Sequence, residues 1–492
     1  MTTLPVACCQ VYPLEGEPET GYSLSVSLGT PPQEFRVLLD SGSSNFAVAA
    51  VNFSSINNYP YFNSDLSESF RDIDIDVGVR YVEGEWSGRV GKDNFSFSIG
   101  DTHSTTVYIS LMEVISDGFF KTSNGWVGIL GMGYAKLAKP DSSVLPVMDS
   151  LVANGVTDDK FGLQLCGPET RPDGTLLDKG GRMSLGSGTP LLPSNSDTFI
   201  YAAITEKSFY KIILTNIKVG SEALDLPCSV FNDKFSIIDS GTTELSFNKG
   251  TFSAIIAKLK KSNRSSKLDI PDSFWSGESA LGWKRGSVEE FTSFNNLEIA
   301  LQVPDSQEVE LSIVIPPQLY LKKVSSKSIN IEKGDYCATT NCSWYKLGIK
   351  QNPIESVSGA VLGMMLFKGY TVEFDRGRGR VGFAPSACDI NGLENPSEVL
   401  KIAIIPRTQT DNCQYTTDSF GFFQILICIM VVIVLIAMLV LITIGSGCLI
   451  KKYFFTPSIV SSTNARDLES MLLRTSSSDS EGPTESDDDL LN

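Results

Sequence analysis

One short pattern occurs twice in the chain. Around Asp40 the sequence reads Val-Leu-Leu-Asp-Ser-Gly-Ser-Ser, and around Asp239 it reads Ser-Ile-Ile-Asp-Ser-Gly-Thr-Thr. Each copy is followed much later by a second matching element, Val127-Gly-Ile-Leu-Gly131 in the first half and Gly359-Ala-Val-Leu-Gly363 in the second. A lone Asp-Ser-Gly is an ordinary turn signal. Two copies in matched apolar settings, in the same order, imply duplicated lobes related by a pseudo-two-fold axis, joined near residues 188–198.

The repeated pattern is also a physical device. An apolar strand is a stiff, buried mount, and the carboxylate at its end is held at the floor of a cleft. Gly42 and Gly241 let the backbone approach closely and donate an N–H. The hydroxyls of Ser43 and Thr242 are placed to bond and orient their aspartates. If Asp40 and Asp239 meet across the axis, both cannot ionise easily, so the pair shares a proton over an acidic range. The ionised partner then takes a proton from a shared water as it attacks a carbonyl. The protonated partner bonds that oxygen, and a proton passes to the leaving nitrogen. This chemistry needs no cofactor, no metal and no covalent intermediate.

Other enzyme classes lose ground on composition. The only histidine is His103, in the polar run Gly-Asp-Thr-His-Ser-Thr-Thr. A zinc site of the H-E-x-x-H type needs two, and a serine triad would have to use this one, which reads as a loop or strand-end residue. The net charge of −17 argues against nucleic acid as a partner.

The rest of the chain reads as mainly β. Tyr22 to Leu28 alternates with period two, Phe35 to Leu39 is a second strand, and Arg71 to Trp86 and Asn94 to Ile99 are hairpin material. Short helices are expected at Val144–Ala153, Thr251–Lys261 and Pro316–Lys322. Phe422 to Ile444 is almost wholly apolar and has the length of a bilayer span. Lys451 and Lys452 follow it, which puts the C-terminus in the cytosol and the lobes on the luminal side. Six cysteines (Cys166, Cys228, Cys337, Cys342, Cys388, Cys413) and four N-x-Ser sequons (Asn52, Asn94, Asn263, Asn341) fall on that side, where disulfides persist and glycans are added. Met1 to Gln10 has neither the basic start nor the apolar run of a signal peptide. The chain is therefore expected to lack its targeting and pro-segments, and Cys8 and Cys9 have no assigned role.

Over residues from about 20 to 390 the chain resembles the pepsin-like aspartic proteases, and within them the beta-secretase (memapsin) branch. Asp40-Ser-Gly-Ser-Ser-Asn-Phe-Ala-Val48, Gly162-Leu-Gln-Leu-Cys166, Ile238-Asp-Ser-Gly-Thr-Thr243, Phe374-Asp-Arg376 and Val381-Gly-Phe-Ala384 carry the resemblance, together with the single anchor. Proton sharing between paired aspartates is the established behaviour of that class. The resemblance implies a bilobal fold plus one C-terminal transmembrane helix. It also implies a hairpin flap whose tip is Tyr81-Val-Glu-Gly-Glu-Trp86. There Tyr81 would cover the cleft with its hydroxyl on the Trp86 indole, and Gly84 would let the flap backbone bond peptide. It implies disulfides Cys166–Cys388 and Cys228–Cys413. The branch's third bridge has no upstream partner, since Gly282 precedes Trp283 where a cysteine belongs, which leaves Cys337 and Cys342 for a local pairing. A family position that is basic is Ser246 here, with Glu244 nearby and Glu83 and Glu85 in the flap. That cleft should tolerate acidic substrate residues less well.

The organisation expected is an N-terminal remnant (1–19), two protease lobes (20–190 and 191–390), a stalk (391–421), a transmembrane helix (422–444) and a cytosolic tail (445–492). The tail ends in Asp487-Asp-Asp-Leu-Leu491, similar to the acidic dileucine signals read by sorting adaptors, with Leu490 and Leu491 as the pair. Cys448 is a candidate for acylation. The function expected is a membrane-anchored aspartic endopeptidase of type I topology, cycling through Golgi, endosome and plasma membrane. Its partners would be peptide segments of membrane or secreted proteins and the lipid bilayer. The alternatives are a general acid protease of lysosomal or digestive type, and an inactive homologue that binds peptides.

Overall fold

The computed structural model describes residues 10–51, 61–81, 84–97, 104–113, 125–167, 180–187, 191–192, 198–263, 270–284, 289–324, 342–353, 358–390, 393, 399–409, 413 and 420–454. The chain divides into two compact units, Met1–Thr417 and Asp418–Asn492.

The first unit is mainly β, and each sequence repeat builds the same local arrangement. Strand Gln33–Asp40 runs parallel to Gly128–Gly131, with Leu39 opposite Leu130 and Asp40 opposite Gly131. Phe46–Ala49 returns antiparallel on the other side of Gly128–Gly131. In the second half Phe235–Ile238 runs parallel to Ser358–Leu362, and Leu245–Phe247 returns antiparallel to it. The chain thus threads an Asp-Ser-Gly loop around a central strand in both halves. That central strand is the second echo in the sequence. Gly131 and Gly363 end it because the Asp loop packs directly on them. A Cβ would lie 2.6 Å from the Ser44 amide nitrogen in one case and 2.3 Å from the Glu244 carbonyl oxygen in the other. The mounting strands are apolar because they are enclosed: Val37, Leu39, Ile129, Leu130, Ile238, Ala360 and Leu362 are nearly or wholly inaccessible.

The halves are joined by a shared sheet. Lys160–Cys166 pairs antiparallel with Tyr370–Asp375, Val372 facing Leu163 and Phe374 facing Phe161. Gly180–Leu185 and Gln10–Glu17 extend it on one side, and Arg380–Pro385 and Ile200–Ala203 on the other. Phe161 stacks on Phe374 with ring centroids 4.6 Å apart. Arg376 is the largest fully buried side chain. It crosses to the first half, where it hydrogen-bonds Asp149 at 2.6 Å and forms an ion pair with Asp159 at 2.9 Å, and its guanidinium lies 4.7 Å from the Tyr134 ring centre.

Helices are short where the sequence reading placed them, with shifted ends. Val147–Ala153 starts only after Pro146, whose ring pre-sets a helix entry. Lys249–Asn263 is longer than expected at both ends. Pro317–Tyr320 is a single turn, because Leu321–Val324 leaves it to pair with Cys342–Leu347. The stretch expected as a stalk contains folded chain: Ile402–Pro406 pairs with Val309–Ile315, and Cys413 is bonded to Cys228. In the second unit, Phe420–Phe454 is one helix. Its segment Leu426–Thr443 has mean hydropathy 3.4 and is long and apolar enough to cross a membrane.

Candidate active site

The two Asp loops grip each other. The Ser41 amide donates to Ser240 Oγ at 3.0 Å, and the Ser240 amide donates to Ser41 Oγ at 2.8 Å. Each hydroxyl then donates to the strand opposite, Ser240 Oγ to the Leu39 carbonyl at 3.1 Å and Ser41 Oγ to the Ile238 carbonyl at 3.4 Å. All four bonds are buried, so losing a partner would strand a desolvated polar group at a cost of about 1–3 kcal/mol. The sequence reading gave Ser41 and Ser240 no role. Their only signal was their place inside the repeat, and their contact spans 199 residues.

This grip brings Asp40 and Asp239 together, 7% and 8% exposed. Their carboxyls face one another closely enough for each to act on the other. Gly42 and Gly241 sit so close to the opposite carboxyl that neither can carry a side chain. A Cβ on Gly42 would lie 2.6 Å from Asp239 Oδ1, and one on Gly241 would lie 2.4 Å from Asp40 Oδ1. Their amides are used as well: Gly42 N–H donates to Asp40 Oδ1 and Gly241 N–H to Asp239 Oδ1, both at 2.8 Å. The outer oxygens are held by hydroxyls, Asp40 Oδ2 by Ser43 and Asp239 Oδ2 by Thr242 at 2.6 Å.

Burial pushes both carboxyls up, Asp40 well above the usual carboxylate range because the charge of Asp239 adds to burial. For Asp239 the Thr242 and Gly241 bonds act against burial. Two raised carboxyls at this distance share one proton, and the titration belongs to the pair.

The hairpin over the site is formed by Arg71–Tyr81 and Gly84–Ser96, with Tyr81 opposite Gly84 and Arg80 opposite Glu85. Trp86 is 5% exposed, and its indole Nε1–H donates to the Tyr81 hydroxyl at 3.2 Å. The Tyr81 hydroxyl also lies beside Ser43, whose own hydrogen goes to Asp40. A line of polar side chains thus runs from the hairpin through Tyr81 and Ser43 to the dyad. Glu85 is paired with Arg80 at 2.8 Å, while Glu83 lies outside the described residues.

Two basic side chains meet the acidic residue that the sequence places near Ser246. Ser246 is buried on Leu245–Phe247. Glu244, two residues beyond Thr242, is met by Lys322 and Lys350, each at 3.0 Å. Burial raises Glu244, but the two ammonium groups outweigh it and hold the carboxyl below its ordinary range. The lysines come from strands far away in sequence, so no local pattern revealed them.

The disulfides Cys166–Cys388 and Cys228–Cys413 are present, with Cα–Cα distances of 5.4 and 5.0 Å. Cys342 is disulfide-bonded, and Cys337 lies outside the described residues. At Gly282 a Cβ would meet the Trp344 ring at 2.7 Å, so a cysteine there would need that indole to move. Asn94 is half-buried on the hairpin strand, donating to Thr30 Oγ1 and accepting from Thr106 Oγ1. Asn263 ends its helix. Asn52, Asn341, His103 and the tail residues Asp487, Leu490 and Leu491 lie outside the described residues. No metal-holding group of acidic, cysteine or histidine side chains occurs among the described residues.

Known proteins resemble this chain in sequence. The family model described as eukaryotic aspartyl protease matches residues 21–386. A beta-secretase of Strongylocentrotus purpuratus is 35% identical over 387 residues, covering 76% of this chain and 68% of that protein. Pepsin A of Rhinolophus ferrumequinum is 25% identical, covering 76% of this chain and 83% of its own length. Cathepsin E of Cavia porcellus is 25% identical, covering 74% and 81%. The match takes in both Asp loops, the hairpin and the shared sheet, and on it the chain belongs to the eukaryotic aspartyl protease family as an aspartic-type endopeptidase.

Proposed function

We propose that this protease works while anchored in a membrane and sheds the ectodomains of neighbouring membrane proteins, with Asp40 and Asp239 as its catalytic pair. The convergence of those two carboxyls, each fixed by an amide and a hydroxyl, carries the chemical part of this reading. Asp239 takes a proton from a water held between the carboxyls. The resulting hydroxide adds to the peptide carbonyl, and Asp40 donates its hydrogen bond to the oxygen as charge builds there. A proton then passes to the leaving nitrogen, and the pair returns to its starting state. Tyr81, Trp86 and Gly84 serve as the closing flap, which orders the peptide and excludes solvent.

The anchor supports the cellular part. A helix with a span of mean hydropathy 3.4, followed by Lys451 and Lys452, fits a single-pass protein with luminal lobes. The beta-secretase relative points the same way. Holding enzyme and substrate in one membrane raises their effective concentration. Golgi, endosome and plasma membrane are the compartments proposed. Adaptor binding is proposed through Asp487, Leu490 and Leu491, glycans at the four sequons, and a local Cys337–Cys342 bridge.

Co-expression with a membrane-tethered reporter tests the reading. The full chain should release the reporter ectodomain, and a form ending before Asp418 should release much less at equal expression and equal peptidase activity. Equal shedding by both forms would refute the need for the anchor. It would favour a general acid protease, as the pepsin A and cathepsin E relatives would suggest.

A further inference from the structure

In a sheet of the second half separate from the one that carries Asp239, Glu310 is wholly inaccessible, and among the described residues neither of its carboxyl oxygens has a hydrogen-bond partner. A buried ionised carboxylate without such partners is strongly unfavourable, so the folded chain holds this group neutral. Glu310 lies on Val309–Ile315, directly opposite Ile405 of the edge strand Ile402–Pro406 and opposite Gln302 on its other side. The Thr215 hydroxyl beside it is also buried and unbonded, at the point where Leu214–Val219 slips register against Leu297–Gln302.

We propose that Glu310 is a proton-operated latch on the terminal edge strand, which is closed while Glu310 is protonated and loosens when it ionises. Among the described residues no cation is bonded to it. Lys218 is engaged with Glu298 at 2.9 Å. Arg407 bonds Gln307 and Cys413 Sγ, each at 2.8 Å. Ile200–Ala203, which packs against the same strand, contributes only Tyr201, bonded to Glu373 at 2.6 Å. Burial raises Glu310, and the charge of Glu298 raises it further, against the Thr215 contact and the more distant Lys218 and Arg407.

The sign follows from the raised value. The folded chain binds the proton more tightly than the unfolded one. Its stabilising contribution is complete below the unfolded glutamate pKa of about 4.3 and is lost as pH rises through the folded value. The strand that would loosen is a thin one: Ile404 is 47% exposed. Beyond the ladder it is held by Arg407 N–H on the Glu308 carbonyl and by Asn216 Nδ2 on Thr408 Oγ1. The Cys228–Cys413 bridge tethers the chain just beyond, so opening is confined to the segment before it.

Hydrogen exchange on the full chain in detergent, at pH 4.5 and 7.5 and corrected for intrinsic rates, tests the latch. Residues 402–406 should exchange at least about tenfold faster at pH 7.5, while the shared sheet keeps its protection. Glu310→Gln should abolish that difference and raise the melting temperature at pH 7.5 but not at pH 4.5. The wild-type exchange stands alone if the variant folds poorly. Equal protection of 402–406 at the two pH values, or a Glu310→Gln shift of the same size at both, would overturn the proposal.

Discussion

The two Asp loops are nearly the same object built twice, yet they are not used alike. In both, an amide two residues on and a hydroxyl three residues on fix the carboxyl. The differences lie in what surrounds each loop. On the first side Ser43 bonds Asp40 beside the Tyr81 hydroxyl, and the Asn45 side chain donates to the Lys139 carbonyl and accepts from the Lys139 N–H. On the second side Thr242 is followed by Thr243, tied to the Pro18 carbonyl, and by Glu244 with its two lysines. Symmetry makes the carboxyls converge. Asymmetry gives each carboxyl different neighbours, while the pair shares one proton.

The largest way to break this comparison is steric. Gly42→Ala and Gly241→Ala each push a methyl group into the opposite carboxyl. Displacing a reacting group by about 1 Å costs on the order of 100-fold in rate, so kcat should fall at least that much in both. A tolerated alanine in one loop alone would show that the carboxyls are not held face to face.

The hydroxyls sharpen the difference between the sides. Removing a bond to a charged group is worth about 1.5–3 kcal/mol, or roughly 10- to 100-fold. Ser43→Ala should fall at the upper end, because it also cuts the line to Tyr81, and Thr242→Val at the lower end. Steady-state kinetics on one peptide would rank them, and the reverse ranking would sink the role given to Tyr81.

Stability against pH gives a smaller signal. Asp40 has its proton affinity raised by folding, so its contribution is present below the unfolded aspartate pKa of about 3.9 and disappears as pH rises through the folded value. Asp40→Asn should therefore melt higher than wild type at pH 7.5, by about 2 °C or more, and the gain should shrink towards pH 4. A gain that grows towards acid would contradict the assignment. The smallest effect is the coupling of the grip. A double-mutant cycle on Ser41→Ala and Ser240→Ala should return about 1–2 kcal/mol, since the two serines serve each other.

The repeat made the fold readable, because Asp-Ser-Gly mounted on an apolar strand means one thing when it occurs twice with a matching second element. The dyad and its hydroxyls were within reach for the same reason, while the two disulfides followed from the family resemblance alone. Contacts between distant residues were out of reach. Nothing near Ser41 says that Ser240 will answer it, and nothing near Glu244 announces Lys322 or Lys350. Arg376 was noticed as part of a motif, but its partners Asp149 and Asp159 lie in the other half. The strand Ile402–Pro406 within the stretch read as a stalk was missed because Pro, Asn, Asp and Thr crowd around it. That strand is stable only through its neighbour Val309–Ile315.

The most direct measurement is cleavage of a peptide at about pH 4.5 by wild type, Asp40→Asn and Asp239→Asn side by side, with near-ultraviolet circular dichroism to show that all three are folded. If the two halves serve one water, both variants should lose at least about 1,000-fold in kcat/KM. A folded variant of either aspartate that cleaves at close to the wild-type rate would contradict the account.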